Sequence, residues 1–575
     1  MNKRNRIAAL ALCLIIVLGL ASGCSGQPAA STPAPSAAAT AAPTAAGTGA
    51  AEQPSAEPAG PFAEYEFDPD TTYEISWYVN QPNGPANDDA PVKLQLEADF
   101  NIKFDMWYVD RANREELLSV RFASGEFPDV LTATGPEYCQ TYYKQGLTTE
   151  ISIDMIEQFM PIIAQCIDDV GQQEGVSPYI YTSYEGINIG LPNFNYNGQY
   201  HYTSLFRKDW LDALGISKTP ETIDELNQAF YAIKENKQTL IDAGLTNQSP
   251  ENIYGLSSGR IIESFASIYG AYGSIPFYWE MNDDHSAVQY GAIQPGMKDA
   301  LSQLATWYAD GILNPEYITG ENRGDHWSIS HDFIEGRILY TNNGPFYQNM
   351  PEGITPSTAK GGRMYRAYTG AGNDPAAYEV GRPPIGPNGD SGSILWGFAT
   401  GDSVVFSAAL ENDKPKYGKI LNFLEESCTD FDYWVLQTYG FEGEHWQYDE
   451  NGFRDTSSLI PADVVRESYG IGLVFNGWAE GLGFMVKEDP GYYEYADNYA
   501  KFSNKYKDVL LGMAMPSSDI YWDELDKMQI QAYNDIIQGV KDVDYFDTFV
   551  QQWLSSGGQQ ITDEANEWYT STMSK

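Results

Sequence analysis

Positive charge is what this chain has least of. Across 575 residues, 34 Lys and Arg stand against 79 Asp and Glu, a formal net charge of −45. Proteins that hold nucleic acid do so by exchanging its counterions for Lys and Arg, so nucleic acid is excluded as a partner. The same field disfavours an anionic polymer and favours a neutral or cationic ligand, unless a local basic pocket overrides the average. Cysteine is scarce too. Of five, Cys13 and Cys24 lie in the first 24 residues, leaving Cys139, Cys166 and Cys428. An odd number at wide spacing makes neither a disulfide framework nor a metal-ligand cluster, and these three are expected as small buried hydrophobes. The closest histidines, His326 and His331, are five apart, which does not place them on one helical face as metal ligands. No metal and no cofactor is expected.

Recognisable catalytic signatures are missing as well. Gly255-Leu256-Ser257-Ser258-Gly259 fits the pattern of a nucleophile elbow, but no apolar strand is visible ahead of it, and it is expected to be a loop. With 79 acids a carboxylate pair for glycoside cleavage is available in principle, yet nothing singles one out. A long apolar run occurs once, at the N-terminus. Lys3, Arg4 and Arg6 precede an apolar stretch over 7–20, then Ala21, Ser22, Gly23 and Cys24, the layout of an export signal and too short for a membrane span. Leu-Ala-Ser-Gly-Cys resembles the lipobox of bacterial lipoproteins, with Ala21 where a leucine is usual. That resemblance implies acylation of Cys24, and two or more chains give firm anchoring. Residues 25–61 are almost wholly Ala, Pro, Ser, Thr, Gly and Gln, with Glu52 and Glu57 the only charges, a composition that forms an extended tether. Without residues 1–23 the chain keeps 31 Lys and Arg against 79 acids, a net of −48.

The body is too long for one core, so two or more lobes are expected. Tyr73, Ile75, Trp77 and Val79 alternate with polar neighbours as in a half-buried strand. A helix over 92–100, a strand over 103–107, a helix capped by Asn113 with Glu116 that ends near Gly125, and a strand at Val130 follow. That order predicts a parallel α/β beginning. Thr222 and Glu225 form a capping box ahead of Ile223, Leu226, Phe230 and Ile233; Met297, Leu301, Leu304 and Tyr308 repeat the helical spacing, and 522–569 is largely helical.

Aromatic residues are plentiful: 13 Trp, 40 Tyr and 25 Phe, 14% of the chain. Most serve a core. Trp279, Trp327, Trp396, Trp446 and Trp478, however, lie among Gly, Asn, Asp and Ser. Flat rings beside amides and carboxylates suit a sugar, with its apolar C–H face and rim of hydroxyls.

Five stretches, in order, resemble the extracellular solute-binding proteins of ABC importers, particularly the large lipoproteins for oligosaccharides and aldouronates. They begin with Ala-Ser-Gly-Glu-Phe-Pro-Asp-Val from Ala123, then Leu-Phe-Arg-Lys-Asp-Trp-Leu from Leu205. Trp-Tyr-Ala-Asp-Gly-Ile-Leu from Trp307 follows, with Phe-Ile-Glu-Gly-Arg from Phe333 and Asn-Gly-Pro-Phe from Asn343. Last come Pro-Ile-Gly-Pro-Asn-Gly from Pro384 and Tyr-Gly-Phe-Glu-Gly-Glu-His-Trp from Tyr439. The resemblance implies an α/β, two-lobed clamp of the periplasmic-binding-protein type with discontinuous lobes joined by a hinge, one of 63–199 with 393–475 and the other of 200–392 with 476–575. It implies a non-enzymatic, monomeric receptor that hands a carbohydrate to ABC permease subunits, held on the bilayer through acylated Cys24. The ligand-binding residues it suggests are Trp77, Asn80, Glu137, Tyr138 and Phe346, joined by Trp396 and Trp446 from the loop-aromatic pattern. Many relatives carry a calcium-type loop after the helix that begins near Thr222; this chain reads Asn-Lys-Gln-Thr-Leu-Ile from Asn236, so the metal is not carried over. The alternatives are a surface glycoside hydrolase or lyase, and a sensory or adhesive lipoprotein of the same fold.

The lipobox has a direct test. Cys24→Ser is expected to release the protein into the medium, and fractionation of wild type and variant checks it; equal retention in the membrane fraction would remove the lipoprotein expectation.

Overall fold

Alternation of buried and exposed side chains builds the first strand, β1 (Tyr73–Tyr78), whose Ile75 and Trp77 turn into a core. The computed structural model describes residues 60–573 apart from short internal stretches, the longest being 259–264, 320–326 and 473–483. The export signal, Cys24 and nearly all of the tether lie outside the described residues, as does the expected cap Asn113.

β1 runs parallel to β2 (Ile102–Trp107), in register from Tyr73 against Ile102 to Tyr78 against Trp107, and parallel to β3 (Val130–Thr134). The helices Pro91–Phe100 and Arg114–Ala123 supply the crossovers that parallel strands need. Asp129, just before β3, accepts hydrogen bonds from the Ser76 backbone N–H (2.8 Å) and hydroxyl (2.9 Å) and pairs with Lys416 at 2.6 Å, tying β1 to the later helix Lys414–Thr429. A hairpin of β4 (Ser183–Tyr184) and β5 (Ile187–Asn188) precedes β6 (Leu191–Pro192).

The chain then leaves this region through β7 (Gln199–His201) and enters β8 (Ser204–Arg207), followed by β9 (Tyr254–Leu256), the pair β10 (Trp279–Met281) and β11 (Val288–Tyr290), β12 (Ile338–Thr341) and β13 (Tyr378–Gly381). It returns through β14 (Leu395–Gly397) to β15 (Asp402–Phe406). One sheet therefore has the order β2-β1-β3-β15-β6 and the other β13-β8-β12-β9, while β7 and β14 pair with each other as the two crossing strands. Each sheet has its own core. Ile75, Trp77, Phe104, Phe406 and Phe423 meet in the first; Phe230, Leu304, Trp307 and Tyr340 meet in the second with Tyr533 and Trp553 of the C-terminal helices.

The sequence patterns are met closely at several places. The capping box at Thr222 is complete, with Glu225 N–H donating to the Thr222 hydroxyl and the Glu225 carboxylate accepting from the Thr222 N–H. Residues 236–241, where relatives are expected to carry an ion loop, lead into and largely form the helix Lys237–Asp242. One expectation is corrected. Gly255 and Leu256 belong to β9 rather than to a loop, because Ile312 and the β12 edge take up their backbone groups. Ser257 beyond them is buried, and its hydroxyl accepts from the Asn314 amide at 3.2 Å, whereas an elbow nucleophile stands exposed.

The segment after 506 lies on β10. Val509 N–H donates to the Trp279 carbonyl at 2.7 Å, and the Asp508 carboxylate accepts from Gly512 N–H (2.7 Å), Trp279 N–H (3.3 Å) and Leu510 N–H (3.3 Å). Burial outweighs those three donors and pushes this carboxyl up to about 6. The unfolded chain ionises it near 3.8, so the group opposes folding above pH 6 and ceases to do so as pH falls toward 3.8. Between those limits wild type is expected to gain stability on acidification relative to Asp508→Asn. Denaturant midpoints of both proteins at pH 7.5 and pH 4.5 check this, and parallel changes in the two would contradict it.

Candidate functional site

Glycine at positive φ opens the helix Gly135–Lys144 directly at the C-terminal end of β3, with Gly135 at +84°. In an open α/β sheet that end is where ligands gather. Glu137, exposed, and Tyr138, half-buried, sit in this first helical turn. Thr134 pairs with Asp402, the first residue of β15.

The crossing strands are held by a dense polar network. Ser393 donates its hydroxyl to Asn342 Oδ1 at 2.5 Å, and Asn342 Nδ2 donates to the Thr203 carbonyl at 3.0 Å. Asn349 Nδ2 donates to the Thr203 hydroxyl (3.0 Å) and the Gly344 carbonyl (3.1 Å). Leu395 N–H donates to the Tyr278 hydroxyl at 2.7 Å, and His201 Nδ1 lies 3.2 Å from the Ser393 carbonyl and 3.3 Å from the Ser393 N–H, donating to one or accepting from the other according to its tautomer. Burial holds the His201 imidazole down to about 4, so it stays neutral. The loop 342–346 is thus knitted onto both crossing strands, and Tyr202 bridges to Pro345.

Beside this loop the half-buried Trp327 stacks on buried Tyr202, centroids 5.8 Å apart and planes 25° off parallel. The Asn343 amide donates to the Trp327 carbonyl at 2.9 Å and sets the ring's backbone in place. The sequence marked Trp327 only as one of several loop-like tryptophans; its position against Asn-Gly-Pro is the signal that was missed.

Three of the expected ligand rings are corrected. Trp77 is fully buried, packed edge-on against Phe104 (6.0 Å) and Phe423 (5.8 Å), because strand periodicity puts it on the same inward face as Ile75. Phe346 is 1% exposed: Tyr200 (4.7 Å) and Tyr492 (4.8 Å), the latter on the helix Pro490–Tyr499, close over it. Trp446 is 4% exposed, donates to the Gly440 carbonyl at 2.9 Å, and has the Arg454 guanidinium 4.1 Å from its ring centroid. Trp396 lies in β14 opposite Tyr200. Asn80 and Trp478 fall outside the described residues. Among the described residues no group of three or more His, Cys, Asp or Glu comes together as metal ligands.

The architecture has known counterparts. An alginate-binding protein solved without calcium superposes with a TM-score of 0.56 at 15% identity, over 89% of this chain and 99% of its own. An HMO-binding solute-binding protein associated with an ABC transporter of Bifidobacterium longum infantis gives 0.57 at 17%, over 88% and 99%. The fold is that of the ABC-transporter solute-binding proteins. In sequence, the polygalacturonan/rhamnogalacturonan-binding protein YtcQ of Bacillus subtilis (strain 168) is 21% identical over 527 residues, 88% of this chain and 93% of the relative. No family model matches the chain. These similar proteins are binding proteins rather than enzymes, and in this solute-binding fold the crossing strands and the β3 end carry the polar and aromatic groups described above.

If Trp77 and Phe346 are core, replacing either by Ala costs about 3–5 kcal/mol of stability. Urea unfolding of the two variants checks this; midpoints within error of wild type would return these rings to the surface.

Proposed function

We propose that this chain is the extracellular receptor of an ABC importer, anchored to the outer face of the cell membrane by acylated Cys24, which captures an oligosaccharide at its crossing strands and delivers it to permease subunits. The observation that carries this is the preorganised constellation at the crossing: a half-buried indole backed by Tyr202, next to an amide-rich loop whose hydrogen bonds are already made. A ring fixed before binding loses little entropy when a sugar face covers it. Glu137 and Tyr138 at the β3 end are the polar and aromatic groups that would meet the ligand from the first sheet. The fold, shared with proteins named for binding alginate and HMO, and the sequence similarity to a protein named for binding polygalacturonan and rhamnogalacturonan support a carbohydrate. Because the relative in Bacillus subtilis is named for galacturonans, acidic oligosaccharides stand beside neutral ones as candidates, and a uronate would have to find local cations against a net charge of −45.

A thermal-shift panel of neutral oligosaccharides and oligogalacturonides tests the proposal, since a ligand that binds only the native state raises its melting temperature. At least one is expected to do so and to be recovered chemically unchanged after long incubation. Trp327→Ala should weaken that ligand about tenfold, roughly 1.4 kcal/mol, with little change in apo stability. Cleavage products would move the chain into the enzyme class, and a Trp327→Ala affinity equal to wild type would displace the site.

A further inference from the structure

The far end of the first sheet carries a groove away from the crossing strands. β3 runs from Val130, paired with Phe406, to Thr134, paired with Asp402. The helix Gly135–Lys144 packs back along β3 and β15, so its last turn lies at the Val130 end, opposite to Glu137 and Tyr138. There an open groove of about 710 Å³ is lined by Tyr143, Lys144, Thr148, Thr149, Tyr184 and Glu411, with Gly146, Glu150 and Ala408 completing it.

The walls are fixed by hydrogen bonds. Thr149 N–H donates to the Phe406 carbonyl and Ala408 N–H to the Leu147 carbonyl, both at 2.9 Å. Tyr184 stands on the β4–β5 hairpin, whose turn residues Glu185 and Gly186 both have positive φ (50° and 83°), the tight turn that matches strand twist. The hairpin is tied to the groove floor by Asn188, whose amide donates to the Ile151 carbonyl at 2.9 Å and whose carbonyl accepts from Ile151 N–H at 3.0 Å. Tyr143 and Tyr184 meet at 6.1 Å with planes 63° apart, and Lys144 Nζ lies 4.7 Å from the Tyr184 centroid. The Thr149 hydroxyl donates to Glu411 Oε1 at 2.6 Å. Thr148 lines the groove but is 3% exposed, its hydroxyl buried without a partner in the protein.

We propose that this groove is a second carbohydrate site, distinct from the capture site, that takes neutral pyranose units of a polysaccharide chain. Tyr143 and Tyr184 offer ring surface to the apolar face of a sugar. Glu411 and Glu150, two carboxylates against the single ammonium of Lys144 among the lining residues, accept from its hydroxyls and repel a uronate carboxylate. An open groove admits a chain passing through it, whereas an enclosed pocket would take only a free end or a small molecule. Such a site keeps the receptor on a polysaccharide surface while the capture site collects released fragments. It rests on the proposal that carbohydrate is the ligand of this chain.

The test uses the full mature chain in detergent, measuring depletion onto insoluble arabinoxylan and onto cross-linked polygalacturonan, beside the thermal shift with soluble oligosaccharides. Retention on arabinoxylan is expected, weakened about tenfold by Tyr184→Ala and by Glu411→Gln, with the oligosaccharide shift unchanged in both. The exposed Glu411→Gln decides the matter if Tyr184→Ala lowers the melting temperature. An intact oligosaccharide shift with no retention, or retention that Trp327→Ala abolishes and the groove variants leave alone, overturns the second site only. Retention on polygalacturonan that the groove variants weaken overturns its neutral specificity. Absence of both retention and thermal shift overturns the capture proposal along with it.

Discussion

The pairing of β7 with β14 is the constraint on which the molecule depends. The chain leaves one sheet through β7 and returns through β14, so two sheets with separate cores are joined by backbone hydrogen bonds between the two crossing strands. A two-stranded ribbon is marginal by itself. What stabilises this one is the side-chain network around it, in which Ser393 donates to Asn342, and Asn342 and Asn349 both donate to Thr203, while Asn349 Oδ1 is buried without a partner. Each such hydrogen bond contributes only about 1 kcal/mol net, but removing one partner leaves a buried polar group that costs about 1–3 kcal/mol. The network is therefore rigid because breaking it in part is expensive.

That rigidity bears on binding. Asn342 bonds to the crossing strands and the adjacent Asn343 to the Trp327 carbonyl, so the residues proposed to meet a ligand are joined to the place where the two sheets meet.

The scarcity of positive charge is resolved locally. Some of the cations cap rings or pair with acids in the protein body: Arg454 over Trp446, Arg121 over Trp107 at 4.0 Å, buried Arg207 bidentate with Asp209, and Lys103 on buried Glu97 at 2.8 Å. These are structural uses, and they leave the average field acidic. Buried carboxyls in such a chain carry a titration cost, which Asp508 shows most plainly, since three backbone donors do not offset its loss of water.

Local order was legible in the sequence wherever a period or a cap is decided by neighbours along the chain. The alternation at 73–78, the crossover helices, the Thr222 capping box and the C-terminal helices all follow from backbone geometry that repeats every two or every 3.6 residues. The α/β solute-binding architecture was legible through motifs in order. Burial of a particular ring was not. The inward position of Trp77, against Phe104 and Phe423, follows from the alternation along β1, but nothing in the residues beside Trp327 records that it lies half-buried against Tyr202. Phe346 follows Asn-Gly-Pro as a surface ring would, but a helix more than 140 residues later covers it. What the sequence by itself determined are the elements and their order, because these depend on contacts within a few residues. Which aromatic faces remain open was decided only by the tertiary structure, because that depends on distant segments whose arrival no local pattern records.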